Sequence, residues 1–147
     1  GALSIRGTGS LTNPAYAGAV AWSAYRESIR TVEVASGITN LPDFAFYGCS
    51  ALETVSFAEG SRLTTIGGST FNGCTSLKEL TLPQGVKTIY GNAFRSCSSL
   101  VSVYLPDTVS YITGGAFRDC GKVVLSVARD SYAKQYAISN GIAYVER

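Results

Sequence analysis

Apolar positions recur along this chain in a fixed order. An apolar residue, two variable positions, an apolar residue, one variable position and another apolar residue make a triplet. Its instances are Ile29/Val32/Val34, Leu52/Val55/Phe57, Leu77/Leu80/Leu82 and Leu100/Val103/Leu105. The last two members alternate with polar residues, as a strand buried on one face requires. A second apolar pair at spacing three follows each triplet: Ile38/Leu41, Leu63/Ile66, Val86/Ile89 and Val109/Ile112. Then comes Phe-x-x-Cys, as Phe46/Cys49, Phe71/Cys74, Phe94/Cys97 and Phe117/Cys120, each with an apolar residue three places on. The phenylalanines stand 25, 23 and 23 residues apart, the period of one coil of a solenoid.

Each unit predicts a strand, a turn, an extended segment and a short helical or 3₁₀ turn. The turn is clearest in Leu82-Pro83-Gln84-Gly85 and Leu105-Pro106-Asp107-Thr108, where proline ends the ladder and no amide donor is needed. Alanine, phenylalanine and cysteine within four or five residues (Ala45 to Cys49, with Thr70 replacing alanine in the second copy) predict the helical turn, facing inward. Stacking at about 4.8 Å, the strand spacing, lines equivalent residues up in columns. Each fully buried leucine or phenylalanine then contributes roughly 1.5–3 kcal/mol. The expected fold class is an α/β solenoid in one domain. Residues 29–123 are stacked repeats, 1–28 an N-terminal cap and 124–147 a C-terminal βαβ cap.

The caps are read from departures from the template. Leu3-Ser4-Ile5, a Gly7-Thr8-Gly9-Ser10 turn and Leu11 predict a small hairpin. Pro14 to Arg26 places Trp22 and Tyr25 at helical spacing, an aromatic lid for the first coil. Near the other end, Val123–Val127 is a strand one residue out of register. Ser131 caps a helix running to about Asn140, Asn140-Gly141 stops it, and Ile142 to Val145 forms a last strand.

Composition narrows the function. The 147 residues are 46% hydrophobic and 15% charged, with a net charge of +2. That favours a folded domain and supplies no basic stripe for nucleic acid. The longest uncharged, weakly polar run, Ala15 to Trp22, is too short to cross a bilayer. The chain lacks an initiator methionine, and Gly1–Ser10 has no signal-peptide pattern, so it reads as a mature or trimmed fragment. With no histidine in the sequence, the commonest general base and metal ligand is missing. There is no Gly-x-Ser-x-Gly elbow and no phosphate-cradling loop; Gly67-Gly68 and Gly114-Gly115 read as corner turns. An enzyme is not expected, and no cofactor or metal site is indicated.

The 23-residue unit resembles the repeat of BspA-like, or treponemal-type, bacterial leucine-rich repeat proteins. The resemblance rests on Ile89 to Pro106 and Ile66 to Pro83, which follow an Ile-Gly-x-x-Ala-Phe-x-x-Cys-x-x-Leu-x-x-Val-x-Leu-Pro pattern. The flanks also resemble the family's caps: Gly7-Thr8-Gly9, Trp22-x-x-Tyr25 and Ile29 on one side, Ser131-Tyr132-Ala133, Tyr136-Ala137 and Asn140-Gly141-Ile142 on the other. The resemblance implies a short right-handed superhelix, parallel strands on its concave face and short helical turns opposite. It also implies a secreted or cell-surface bacterial module for binding or adhesion. The partner so implied is a protein, host extracellular-matrix proteins among them, or a glycan. The alternative is a structural spacer within a longer surface protein.

The outward strand positions are the candidate binding face. One column reads Thr31, Thr54, Glu79, Ser102, and the next Glu33, Ser56, Thr81, Tyr104. A merely soluble sheet surface would look the same. Between Phe57 and Leu63 the chain holds two residues more than the equivalent stretches, placing Glu59 and Arg62 on a rim loop. A third column, Arg30, Glu53, Lys78, alternates in charge and is expected to form a ladder of exposed pairs. Tyr47, Tyr90 and Tyr111 add aromatic area. The four cysteines admit a zinc site or disulfides, but single-column spacing and parallel side-chain vectors favour small buried groups beside the phenylalanines.

Overall fold

The computed structural model describes all residues, Gly1–Arg147. Two front strands open the chain, β1 (Ala2–Ile5) and β2 (Thr31–Val34), and back and front strands then alternate. They are β3 (Asn40–Leu41), β4 (Thr54–Phe57), β5 (Thr65–Ile66), β6 (Glu79–Thr81), β7 (Thr88–Ile89), β8 (Ser102–Tyr104) and β9 (Tyr111–Ile112). The front strand β10 (Val124–Val127), the helix α1 (Tyr132–Ser139) and the strand β11 (Ala143–Glu146) end the chain. All pairings are parallel. The back strands form one unbroken sheet, β3-β5-β7-β9, while the front strands form β1-β2-β4 and β6-β8-β10-β11. The result is a solenoid of stacked coils.

Between the sheets lies one core cluster of 36 buried residues. At its centre the aromatic rings form a row. Phe46, Phe71, Phe94 and Phe117 stack with centroids 5.3, 5.3 and 5.0 Å apart. Trp22 extends the row at one end (6.0 Å to Phe46) and Tyr136 at the other (6.3 Å to Phe117). Trp22 also donates its indole N–H to the Ala45 carbonyl at 2.6 Å, so it closes the first coil. Tyr25 stays exposed and takes no part in that lid.

Two expectations are corrected. The helical turn predicted at each Phe-x-x-Cys is a run of reverse turns. Two positions per coil take left-handed backbone: Phe44, Ser69, Asn92 and Gly115, then Gly48, Gly73, Ser96 and Asp119, with φ between 53° and 80°. Each such residue stops helical propagation; Gly, Asn and Asp tolerate it best. Alternate amides are thereby freed to bond to the next coil: Phe44 to Gly68, Phe46 to Thr70 and Gly48 to Asn72, at 3.0, 2.7 and 2.8 Å. A helix would have kept those bonds within itself.

The N-terminal hairpin is also absent. β1 pairs in parallel with β2, and Gly9 bridges Ile38 in parallel, so the first residues are already a partial coil. Alternation in Leu3-Ser4-Ile5 marks a strand without marking its direction. At the C-terminus the βαβ ending stands as expected. Val124 lies beside Ser102 and Leu125 beside Val103, one residue short of the repeat spacing. Ser131 Oγ accepts the Lys134 amide at 3.1 Å and so caps α1.

Corner glycines have steric work to do. A Cβ on Gly67 would lie 2.6 Å from the Asp43 nitrogen. Only glycine lets these two coils approach so closely, and the Gly68 amide then reaches Asp43 Oδ1 at 2.7 Å.

Candidate functional site

The front sheet carries the predicted binding columns. Thr31, Glu33, Thr54, Ser56, Glu79, Thr81 and Ser102 all point outward and are exposed, because their strand neighbours Val32, Val34, Leu80 and Val103 point into the core. The register brings Thr31 beside Thr54 and Glu33 beside Ser56, and likewise Glu79 beside Ser102 and Thr81 beside Tyr104. Tyr104 is half-buried. The Arg147 guanidinium sits 3.9 Å above its ring, and Gln84 Nε2 donates to its hydroxyl at 3.1 Å. Glu59 and Arg62 are exposed on the rim loop, with no ion pair between them.

The columns are not continuous. No backbone hydrogen bond joins β4 to β6, although every other neighbouring pair of front strands is laddered. The charge column breaks there too: Arg30 Nη1 meets Glu53 Oε1 at 2.7 Å, but Lys78 has no partner. A groove of about 790 Å³ opens along this seam, bordered by Glu53, Thr54, Val55, Lys78, Glu79 and Thr81 among others. The seam falls in the one coil with two extra residues, which the sequence marks only as a rim loop. A second hollow of about 450 Å³ lies beside Arg6, Glu33 and Phe57.

The cysteines are free thiols buried beside the phenylalanines. Three make a further ladder that spacing alone does not reveal. Cys74, Cys97 and Cys120 each donate to the phenylalanine carbonyl of the coil before, Phe46, Phe71 and Phe94, at 3.2, 3.1 and 2.8 Å. Burial pushes the Cys49 thiol up to about 11, opposed by the nearby Arg26 charge. Burial also raises Cys74; Cys97 is raised by its neighbour Cys120 and by burial, and Cys120 is lowered in turn. Thiols raised by burial, as Cys49 and Cys74 are, are inert. Tyr90 and Tyr111 lie exposed on the back, on and beside the β7–β9 pair, and Tyr47 lies exposed at a turn.

This architecture, parallel strands in coils of about 23 residues around a stacked aromatic row, defines a repeat protein of the leucine-rich class. The model of the BspA-type leucine-rich repeat region matches residues 20–139 in six copies. The chain belongs to that family. The matched range runs past the four Phe-x-x-Cys motifs at both ends, over Trp22 and Tyr136, which continue the aromatic row.

Solved structures agree. A leucine-rich repeat protein of T. pallidum is 29% identical with a TM-score of 0.68, over 80% of this chain and 51% of that one. One from Bacteroides ovatus is 24% identical with a TM-score of 0.74, over 99% of this chain and 36% of that one. One from Eubacterium ventriosum is 21% identical with a TM-score of 0.61, over 84% and 39%. The chain thus spans about half the length of the first and about a third of the second. Among curated proteins nothing matches. No helix is long and apolar enough to cross a membrane.

Proposed function

We propose that this chain is a bacterial surface or secreted module that holds a macromolecule, a protein first and a glycan second, on its concave front sheet and rim loop. The observation that carries the reading is the front face itself. Seven exposed polar residues are held in register within two blocks, β2–β4 and β6–β8, on strands whose other side faces the core. Rigid display of this kind lowers the ordering cost of association. The action is binding and not catalysis, in keeping with repeat proteins of this class. Host extracellular-matrix proteins are one group of partners to try.

The test is capture from a panel of extracellular proteins and glycans by the chain and by a Glu33→Ala/Glu79→Ala variant. Both side chains are exposed and free of ion pairs, so stability should change by less than about 0.5 kcal/mol per site. Capture should fall about tenfold or more, on the scale of lost interface anchors. Undiminished capture would reject the front face.

A second reading, that of a spacer, draws on the greater length of the matched T. pallidum and Bacteroides ovatus chains. A spacer would capture nothing from the panel, and its removal from the longer protein would change only the reach of whatever domain it carries.

A further inference from the structure

The seam between β4 and β6 is an interruption in an otherwise closed front sheet, and several independent observations meet there. The ladder is missing. Val55 and Phe57 of β4 point inward yet are only half-buried, whereas Val32 and Val34 on one side and Leu80 and Leu82 on the other are 1–3% exposed. At the foot of the seam the coils are tied by side chains, Ser76 Oγ donating to the Ser50 carbonyl at 2.6 Å. Behind it nothing is broken: Asn40–Leu41, Thr65–Ile66 and Thr88–Ile89 remain laddered, and Phe46 still stacks on Phe71. The seam is a slit in the front of a wall whose back is whole.

The groups bared in the slit follow from parallel pairing, in which alternate residues address opposite neighbours. The Thr54 and Ala58 amides bond back to Arg30 and Val34, so Val55 and Phe57 turn their N–H and C=O toward the slit. Across it, the Lys78 carbonyl and the Leu82 amide serve β8, so Glu79 and Thr81 turn theirs toward β4. Donors and acceptors therefore alternate along both lips at strand spacing. Lys78 and Glu79 add one free cation and one free anion.

We infer that this slit is a docking site for an extended peptide segment of a partner protein, which adds a strand to the open front edge. The inference rests on the front-face reading above and names its partner class. Only another main chain offers alternating N–H and C=O at the spacing both lips display, and strand addition is an established mode of peptide capture. The one aromatic residue on either lip, Phe57, is packed against the core, so no exposed ring offers a platform on which a sugar could stack. One charge of each sign matches a peptide of mixed charge and disfavours a polyanion. Accepting a strand requires the lips to part by about one strand spacing, ~4.8 Å. The unbroken back ladder supplies the hinge. The half-buried Val55 and Phe57 receive the apolar side chains of the incoming strand.

The probe is a fluorescent capped heptapeptide, acetyl-Lys-Thr-Val-Thr-Val-Thr-Glu-amide, titrated against the whole chain by anisotropy. A second copy carries N-methyl groups on alternate residues, which removes the donors of one edge. The expected result is saturable binding of the first peptide and at least about tenfold weaker binding of the second. A Ser56→Cys/Thr81→Cys variant places thiols at equivalent positions across the slit, and because parallel side chains suit a direct disulfide poorly, 1,3-dibromoacetone is used to join the two sulfurs and clamp it shut. Cross-linking should abolish the peptide binding that the reduced, unlinked variant shows, while the original chain is indifferent to the reagent. No binding up to about 1 mM peptide, far weaker than working affinities, overturns the proposal. So does equal binding of the methylated peptide, or equal binding by the clamped and the unlinked variant. If the slit fails these tests while macromolecule capture still depends on Glu33 and Glu79, the front face stands and the slit alone is refuted.

Discussion

A buried cysteine that donates its thiol hydrogen to a carbonyl one coil away contributes twice, through packing and through a satisfied acceptor. Cys74, Cys97 and Cys120 do this in series. The arrangement also ties stability to pH. The unfolded Cys49 thiol has its ordinary value of 9.0, and the folded one is pushed up to about 11 by burial. Below pH 9 both states hold the proton and the contribution is whole. As pH rises from about 9 to about 11 only the unfolded state releases it, so stability falls. The raised Cys74 acts in the same direction, whereas Cys97 and its neighbour Cys120 are shifted in opposite senses and offset one another. Urea unfolding at successive alkaline pH values should therefore show a steeper loss for this chain than for a Cys49→Ala variant. Parallel slopes would show that the thiol does not titrate on unfolding. Sequence reasoning recognised the cysteines as small core groups from their shared column. It missed their carbonyl partners, because those depend on the rise from coil to coil, which spacing does not encode.

At the scale of elements, the column and the ladder make different demands on sequence. The aromatic row was legible because a 23-residue period forces equivalent residues into line, and Phe94 lies between two rings at 5.3 and 5.0 Å. Phe94→Ala should cost about 3–5 kcal/mol, as deletion of a large, fully buried aromatic does; denaturant melts giving a loss below about 1 kcal/mol would place the ring outside the core. The turns beneath the row were misread as helical, since Ala-Phe-x-x-Cys has helical spacing while left-handed residues such as Asn92 and Ser96 look no different from helix-tolerant polar ones. The seam was hidden for another reason. β4 and β6 each carry the same strand signature as their neighbours, and only the two additional residues before Leu63 set that coil apart. Amide exchange followed by NMR locates the seam directly. The amides of Val55, Phe57, Glu79 and Thr81 should exchange at least about tenfold faster than those of Thr54 and Ala58, which are bonded to the Arg30 and Val34 carbonyls. Equal protection would mean that the lips are closed in solution.

For the molecule as a whole, the question is whether an interrupted front sheet divides the solenoid into two folding units. In stacked repeats stability is a sum of units and nearest-neighbour interfaces, so one weak interface can decouple the two sides. Here the interface between the second and third coils loses its front ladder. It keeps the β3–β5 pairing, the Phe46–Phe71 stack, the turn bonds from Phe44, Phe46 and Gly48, and the Cys74 thiol bond. Those links outnumber what is missing, and the apolar core runs through as one cluster. A single cooperative transition is therefore expected. Trp22 is the chain's one tryptophan and lies on the N-terminal side of the seam, whereas α1 lies at the far end. Tryptophan fluorescence thus reports on the N-terminal side and far-ultraviolet circular dichroism on the whole backbone, α1 included, and their urea midpoints should coincide. Separated midpoints, with Trp22 leading, would mean that the first coils unfold on their own and that the back wall is too weak to serve as a hinge.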